Sequence, residues 1–271
     1  MNSENRIDTL FARLKSEAKP AMIAYITGGD PKMSTSAKVA LEMEKAGVDL
    51  LELGIPFSDP LADGATIQMA AGRALAAGAS VPGILDLVRE IRKTSQIPIV
   101  LFAYLNPVYI YGFEKFQQDA AAAGADGLLL LDLPPQEAAR NSELASTHGL
   151  KSIRLIAPTT PPERLKEITD SAEGFIYYVS REGVTGEQTS LSTDIAERVA
   201  AIRALTKVPV AVGFGISNPE QAATVAGLAD GVVVGSAIVR QIAEIGDTPE
   251  LPAKIADFVR PIAEAVHHKK G

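Results

Sequence analysis

The sequence has no cysteine, three histidines, and no apolar run near the roughly 20 residues a membrane span needs. Without cysteine there are no disulfides, thiolate metal sites or thiol nucleophiles. The histidines suit neither a metal-ligand spacing nor a Ser-His-Asp arrangement. His148, in Thr147-His-Gly149, reads as the C-terminal end of a helix, and His267 and His268 read as part of a basic tail. Positive charge is scarce too: 26 Lys and Arg face 33 Asp and Glu, for a net charge of -7, which argues against a nucleic-acid-binding face. The segment Met1–Leu14 has no apolar signal core, because Glu4, Arg6 and Asp8 interrupt it. Ile7, Leu10, Phe11 and Leu14 fall at helical spacing, so an amphipathic helix is expected there. The cytoplasm is the expected location.

No linker or low-complexity stretch divides the 271 residues, and they read as one domain, 1–271. Short apolar runs alternate with helical patterns. Eight runs are candidate strands: Met22–Thr27, Leu50–Leu53, Ile99–Phe102, Gly127–Leu131, Ser152–Ala157, Phe175–Val179, Val208–Val212 and Gly231–Val234. Several lack polar alternation, as parallel strands covered on both faces do. Eight such units, with no early Gly-x-Gly-x-x-Gly, predict a (β/α)₈ barrel rather than an open doubly wound sheet.

An echo precedes three of the runs: Ala46-Gly47-Val48-Asp49, Ala123-Gly124-Ala125-Asp126 and Ala226-Gly227-Leu228-Ala229-Asp230. Its glycines are expected to end helices in the left-handed conformation. Gly54–Ile99 is long enough for an active loop, an extra helix near Ala65–Ala77 and a regular helix near Val81–Thr94. Arg181–Ser192 reads as a long loop, suited to a lid that Gly183 and Gly186 would let move. Asp194-Ile-Ala-Glu197 reads as the cap of a helix that turns Ile195, Val199 and Ile202 to one face.

In such a barrel the chemistry sits just beyond the strands' C-terminal ends. Glu52 lies within Leu50-Leu51-Glu52-Leu53-Gly54, and alternation separates it from Leu51 and Leu53. It reads either as a desolvated acid–base group or as a structural carboxylate paired with a buried lysine or arginine. Asp63, like Asp59, lies on the following loop and reads as turn chemistry, a helix N-cap or a site carboxylate. Gly213-Phe214-Gly215-Ile216-Ser217 follows the seventh run. Gly235-Ser236 follows the eighth and opens an apolar helix, Ala237-Ile238-Val239. Glycines permit close backbone approach and a helix start offers free N–H groups, so the two loops form a candidate phosphate site. Neither loop contains Arg or Lys, so binding there would rest on backbone donors. Tyr177 and Tyr178 face opposite ways, and one should point into the barrel.

The stretch Glu52-Leu-Gly-Ile-Pro-Phe-Ser-Asp-Pro-Leu-Ala-Asp63-Gly64, with Thr66-Ile-Gln68 beyond, closely resembles the signature of tryptophan synthase alpha chains. The resemblance continues through Thr27-Gly-Gly-Asp30-Pro31, Tyr104-Leu-Asn106-Pro107, Asp132-Leu-Pro134, Ser180-Arg-Glu-Gly-Val-Thr185-Gly186, Gly213-Phe-Gly-Ile-Ser217 and Gly235-Ser236, in order along most of the chain. It implies a (β/α)₈ TIM barrel with an extra N-terminal helix and extra helices in the loops after the second and eighth strands. It also implies a lyase that splits indole-3-glycerol phosphate into indole and glyceraldehyde 3-phosphate. The alpha chain would need no cofactor or metal. Its partner, a beta chain in an alpha2-beta2 heterotetramer, would carry pyridoxal phosphate and receive the indole. No nucleic-acid or membrane partner is implied.

Carried over by position, the resemblance makes Glu52 the acid–base carboxylate, Asp63 the group that binds the indole N–H, and Tyr177 the tyrosine near the reacting centre. Thr185 would be the lid threonine. Gly186, Gly215, Gly235 and Ser236 would hold phosphate, and Tyr25, Phe102 and Leu129 would line the indole pocket. Pro56–Pro60 and the loop after Tyr104 would face the partner. Ala65 departs from a frequent proline and Tyr25 from a frequent phenylalanine. Another phosphosugar barrel enzyme would share the phosphate cradle but would not require the Phe57–Asp63 loop. A barrel that only activates its partner would not require both carboxylates, and both are present.

Overall fold

The computed structural model describes residues 5–179, 188–213 and 215–268, apart from the side chains of 135, 136 and 188–194. Nine parallel strands form one sheet: β1 (Ala21–Thr27), β2 (Leu50–Gly54), β3 (Ile99–Ala103), β4 (Gly127–Leu130), β5 (Lys151–Ser152), β6 (Arg154–Ile156), β7 (Ile176–Val179), β8 (Val210–Gly213) and β9 (Gly231–Val234). Their order is β5-β4-β3-β2-β1-β9-β8-β7-β6. The two edges of this order belong to one stretch of chain. β5 pairs with β4 and β6 with β7, with only Ile153 between them, so the sheet closes on itself. The nine strands are therefore the eight expected ones with the fifth divided, and the architecture is a (β/α)₈ barrel.

Strand alternation builds two apolar layers. Ile23, Leu50, Val100, Leu129, Phe175 and Val233 pack inside the barrel. The first helix, α1 (Arg6–Ser16), adds Ile7, Leu10, Phe11 and Leu14 to this inner layer and plugs the barrel's N-terminal end. That explains its narrow apolar face. Asn5 caps it, its side chain accepting from Ile7 N–H at 2.9 Å. The intervening residues, such as Met22, Leu51, Leu53, Leu101 and Val232, pack outward against the ring of helices. Both strand faces are covered, so the runs read as continuously apolar.

The ring comprises α2 (Met33–Lys45), α3 (Ala65–Ala76), α4 (Val81–Arg92), α5 (Leu105–Tyr111), α6 (Phe113–Ala123), α7 (Pro135–Thr147), α8 (Pro162–Asp170), α9 (Gln188–Leu205), α10 (Pro219–Ala226), α11 (Ser236–Ile245) and α12 (Leu251–His267). The extra helices after the second and eighth strands are α3 and α11. The short α5 goes beyond the sequence reading, which left a loop after Tyr104; its seven residues include a proline and two tyrosines that blur any helical period. The start of α9 is a correction. It begins at Gln188, so residues 188–192 are helical rather than loop, and Asp194 lies inside the helix rather than at its cap. The run Gln188-Thr-Ser-Leu-Ser-Thr-Asp194 is rich in residue types that favour caps and turns, which hides its helical character. Ile195, Val199 and Ile202 are nonetheless buried together on one face. No single helix among the described residues is long and apolar enough to cross a membrane.

The Asp of each echo satisfies a backbone donor at the start of a neighbouring strand. Asp49 accepts from Met22 N–H at 2.8 Å, Asp126 from Ile99 N–H at 2.8 Å and Asp230 from Val210 N–H at 2.9 Å. Each also holds a basic side chain. Asp126 pairs with Arg6 and Arg92, Asp230 with Arg203, and Asp49 Oδ2 lies 2.7 Å from His267 Nε2. His267 is thus the end of α12 fastened to the barrel floor, not part of a free tail, and His148 follows α7 as expected. Gly47 and Gly124 adopt positive φ, but Gly227, at φ -67°, keeps a right-handed conformation, so the echo requires its aspartate more than its glycine.

Asp30, buried after β1, accepts both Nε and Nη2 of Arg73 on α3, at 2.9 and 2.8 Å. This bidentate pair pins the extra helix over the barrel mouth. Replacing Arg73 with Met should leave Asp30 buried without its cation and lower unfolding free energy by about 3 kcal/mol. A denaturant titration with an unchanged midpoint would remove the pair from the list of stabilising contacts.

Candidate active site

A cavity of about 480 Å³ opens where the strands end. Successive strands contribute Tyr25, Glu52, Phe102, Leu155, Tyr177 and Val233 to its walls, and the loops beyond them add Asp63, Gly215, Gly235 and Ser236. The volume suits a ligand of small-molecule size, and apolar walls with few polar groups are the usual make-up of such sites.

Glu52 sits in the middle of β2, in register with Tyr25 of β1 and Val100 of β3. It is fully buried, and among the described residues neither carboxyl oxygen has a hydrogen-bond partner. Burial alone pushes its pKa up to about 8. Among the described residues no cation pairs with it, which removes the reading of a structural carboxylate held by a buried base. A carboxyl with these surroundings is neutral at pH 7 and has a proton to give.

Asp63 is half-buried at the same cavity, and burial raises its pKa to about 6 while a hydrogen bond from Tyr104 opposes the rise. The turn chemistry expected here is present, but the main chain makes it: Asp63 N–H donates to Pro60 O at 3.0 Å, and Asp63 O accepts from Gln68 Nε2 at 2.9 Å. The N-cap of α3 is Gly64, not Asp63. Its carboxyl is left to the cavity. Ala65, one of the two departures, is the first residue of α3.

Tyr104 organises this loop, and sequence reasoning gave it no role. Its hydroxyl accepts Ala62 N–H at 2.9 Å and lies close enough to the Asp63 carboxyl to oppose the rise of its pKa, while its ring packs against Phe57 with centroids 5.4 Å apart. It sits just past the end of β3, so one side chain ties the loop after β2 to the neighbouring strand. The pairing of β2 with β3 brings residues 62 and 104 together.

Tyr25 and Tyr177 lean across the ends of adjacent strands. A Cβ on Gly54 would lie 2.2 Å from the Tyr25 hydroxyl, and one on Gly213 would lie 2.3 Å from that of Tyr177. Glycine at these two places makes room for the phenol rings. The Tyr25 hydroxyl lies 3.3 Å from Thr27 Oγ1, and its ring meets Phe102 edge-on at 5.3 Å. Burial holds both phenols above their ordinary pKa, so both stay protonated. Tyr178 points outward into the helix layer.

The expected phosphate positions Gly215, Gly235 and Ser236 share one wall of the cavity. Gly215 has φ +40°, and α11 starts at Ser236 with no side-chain cap, leaving its first N–H groups for a ligand. Leu129 is the exception among the expected lining residues. It packs one layer deeper, among the side chains of α1, and Leu131, two residues on and on the same face, lines the cavity instead. Alternation identifies the face but not the depth along it. Thr185, Gly186 and the expected hinge Gly183 lie outside the described residues. Arg240 also lines the cavity. It stands inside α11 rather than on a loop, but its position four residues after Ser236 puts both on one helix face.

The raised pKa of Glu52 links stability to pH. Its unfolded value is 4.5 and its folded value about 8, so between these pH values the folded state holds more protons. Stability therefore falls as pH rises through that window, by up to about 1.4 kcal/mol per unit. Glu52→Gln should abolish this slope. The stability difference between wild type and variant, measured by denaturation at pH 5, 6.5 and 8, should move steadily in the variant's favour; a pH-independent difference would contradict a buried, unpaired carboxyl.

The model of the family described as "Tryptophan synthase alpha chain" matches residues 11–267. A relative of that name from Geobacter sulfurreducens is 49% identical over 262 residues, covering 97% of this chain and 99% of its own. The crystal structure of the tryptophan synthase alpha subunit of Legionella pneumophila superposes with a TM-score of 0.90 at 41% identity, covering 97% of this chain and 99% of that one. A chain of tryptophan synthase from Mycobacterium tuberculosis superposes at 0.88 with 35% identity, covering 98% and 99%. Matches that run nearly end to end in both partners, on a barrel that gathers the motifs around one cavity, mean that the chain belongs to the tryptophan synthase alpha chain family.

Proposed function

We propose that this lyase cleaves indole-3-glycerol phosphate with two carboxyl groups held in opposite protonation states, Glu52 neutral and Asp63 ionised. The observation that carries this reading is their unequal burial at one cavity: about 8 for the pKa of Glu52 and about 6 for that of Asp63. Near pH 7 one group is a proton donor and the other an anion, the usual way of running acid and base chemistry side by side.

The reaction requires C3 of the indole ring to gain a proton and then lose its carbon substituent. Glu52 donates to C3, leaving positive charge on the ring nitrogen. The ionised Asp63 accepts the indole N–H bond and stabilises that charge. Glu52, now a carboxylate in an apolar wall and a strong base, takes the proton of the glycerol hydroxyl next to the scissile bond. The O–H electrons form the carbonyl of glyceraldehyde 3-phosphate, the carbon–carbon bond breaks, and its electrons restore the aromatic ring. No net proton is consumed. Tyr177 orients the reacting centre, Tyr25 and Phe102 bracket the ring, and Gly186, Gly215, Gly235 and Ser236 hold the phosphate. No step calls on a cofactor or a metal in this chain.

Residues 1–271 act as one cytoplasmic domain that passes indole to a beta chain carrying pyridoxal phosphate, in an alpha2-beta2 heterotetramer. A surface beside the mouth supports the docking face: Leu61, Tyr109 and Ile110 are 90%, 73% and 79% exposed, on the loop after β2 and on α5 after β3. Large apolar side chains grouped in this way usually meet a partner.

Glu52→Gln should lower indole formation by at least about 10²–10⁴-fold in the presence of a beta chain. The wild-type pH–rate profile should be a bell with limbs near 6 and 8. Near-normal turnover of the variant would defeat the mechanism. Tyr109→Asp combined with Ile110→Asp should weaken co-purification with a beta chain at least tenfold, by about 1.4 kcal/mol or more, and an unchanged affinity would move the docking face elsewhere.

A further inference from the structure

The substrate assigned above brings a phosphate dianion into a cavity whose walls carry two carboxyl groups, Glu52 and Asp63. Glycine N–H groups and a helix start offer partial charges only. Among the described residues the cavity has one cationic side chain, Arg240. It is exposed, and among the described residues it forms no ion pair or side-chain hydrogen bond, whereas Arg6, Arg73, Arg92 and Arg203 are all engaged with aspartates. The other cations among the described residues do not border the cavity.

Helix geometry directs Arg240 toward the phosphate wall. It stands four residues after Ser236 on α11, so the two share a face, separated by about 6 Å along the axis. Side chains on a helix tilt toward its N-terminus. A guanidinium at 240 therefore leans back over Ser236 and Gly235, where the free N–H groups of the first turn emerge. The buried faces agree with this placement: Ile238, Val239 and Ile242 pack into the protein, while 236, 237 and 240 border the cavity.

We infer that Arg240 is a substrate-binding residue that reaches back along α11 to pair with the phosphate, supplying the full positive charge that the glycine cradle lacks. The phosphate takes no part in bond breaking, so the contact is the same in ground state and transition state. Its loss raises KM and leaves kcat in place. The contact is with an exposed arginine and is weakened by salt.

The test uses the full-length chain with a beta chain present and compares wild type, Arg240→Gln and Arg240→Lys. Arg240→Gln should raise KM for indole-3-glycerol phosphate about tenfold, the size of one charge-assisted contact, with kcat within twofold of wild type. Arg240→Lys should recover most of the loss. Binding of glycerol 3-phosphate to each form, followed by calorimetry, should weaken in parallel in the Gln variant, while binding of indole, which has no phosphate, should be unchanged. Unchanged KM and glycerol 3-phosphate affinity would overturn the inference and leave Arg240 a solvated cation. An equal loss of indole binding, or a fall in kcat alone, would also overturn it by pointing to a distorted pocket. If wild type failed to cleave indole-3-glycerol phosphate, the assigned substrate would be wrong, and the glycerol 3-phosphate titration would still judge Arg240 by itself.

Discussion

A carboxyl group buried with no partner among the described residues is the constraint around which this barrel's mouth is arranged. Glu52 occupies a strand position that alternation turns inward, among side chains that cannot solvate a charge. The group is tolerated because it stays protonated, and the same burial that would penalise its ionised form makes it a proton donor at neutral pH and a strong base once ionised. Much of the surroundings can be understood as keeping it so. Tyr25 and Phe102 close the wall beside it, and glycines at 54 and 213 let two phenol rings lie over neighbouring strand ends where any larger residue would collide. Asp63, by contrast, is kept on a loop, half in water and touched by a hydroxyl, where it ionises more readily.

The opposite end of the barrel does different work. There the aspartates of the repeated Gly-containing echo each accept a strand's backbone N–H and hold a basic side chain, and α1 fills the opening with Ile7, Leu10, Phe11 and Leu14. These hydrogen bonds and the packing of α1 tie the floor together. The mouth can then contain a destabilising carboxyl without loss of the fold. This separation, stability below and chemistry above, is the usual division of labour in a (β/α)₈ barrel.

Between the two ends, a few long-range contacts set the precision of the site. The Asp30–Arg73 pair fixes α3, whose preceding loop carries Asp63. Tyr104 joins that same loop to the end of β3. Large apolar side chains at 61, 109 and 110 remain uncovered on the outer side of these elements, so the loop that holds Asp63 also borders an exposed apolar surface. A contact made on that surface bears on the loop directly, because Ala62 alone separates Leu61 from Asp63.

The amino-acid sequence alone determined the strand count, the separation of Glu52 from the face of Leu51 and Leu53, the helices starting near Ala65 and Ser236, and the glycine-rich loops. All of these follow from short-range rules: period-2 alternation, helix spacing, and the backbone freedom of glycine. The motif of residues 52–64 determined the family as well. What local patterns could not reach was depth, pairing and the identity of neighbours. Leu129 and Leu131 are equivalent by alternation, yet only the barrel's height decides which one meets the cavity. Tyr104 acquires its role from Ala62 and Asp63, more than forty residues away. His267 looked like a loose tail until α12 brought it to Asp49, 218 positions earlier. Serines and threonines concealed the start of α9, because their intrinsic preference for caps and turns outweighs any helical signal in the local sequence. Tertiary structure decided each of these, since closing the sheet creates contacts between segments that sequence spacing leaves unrelated, and burial, which sets the charge of Glu52, is a property of that closure.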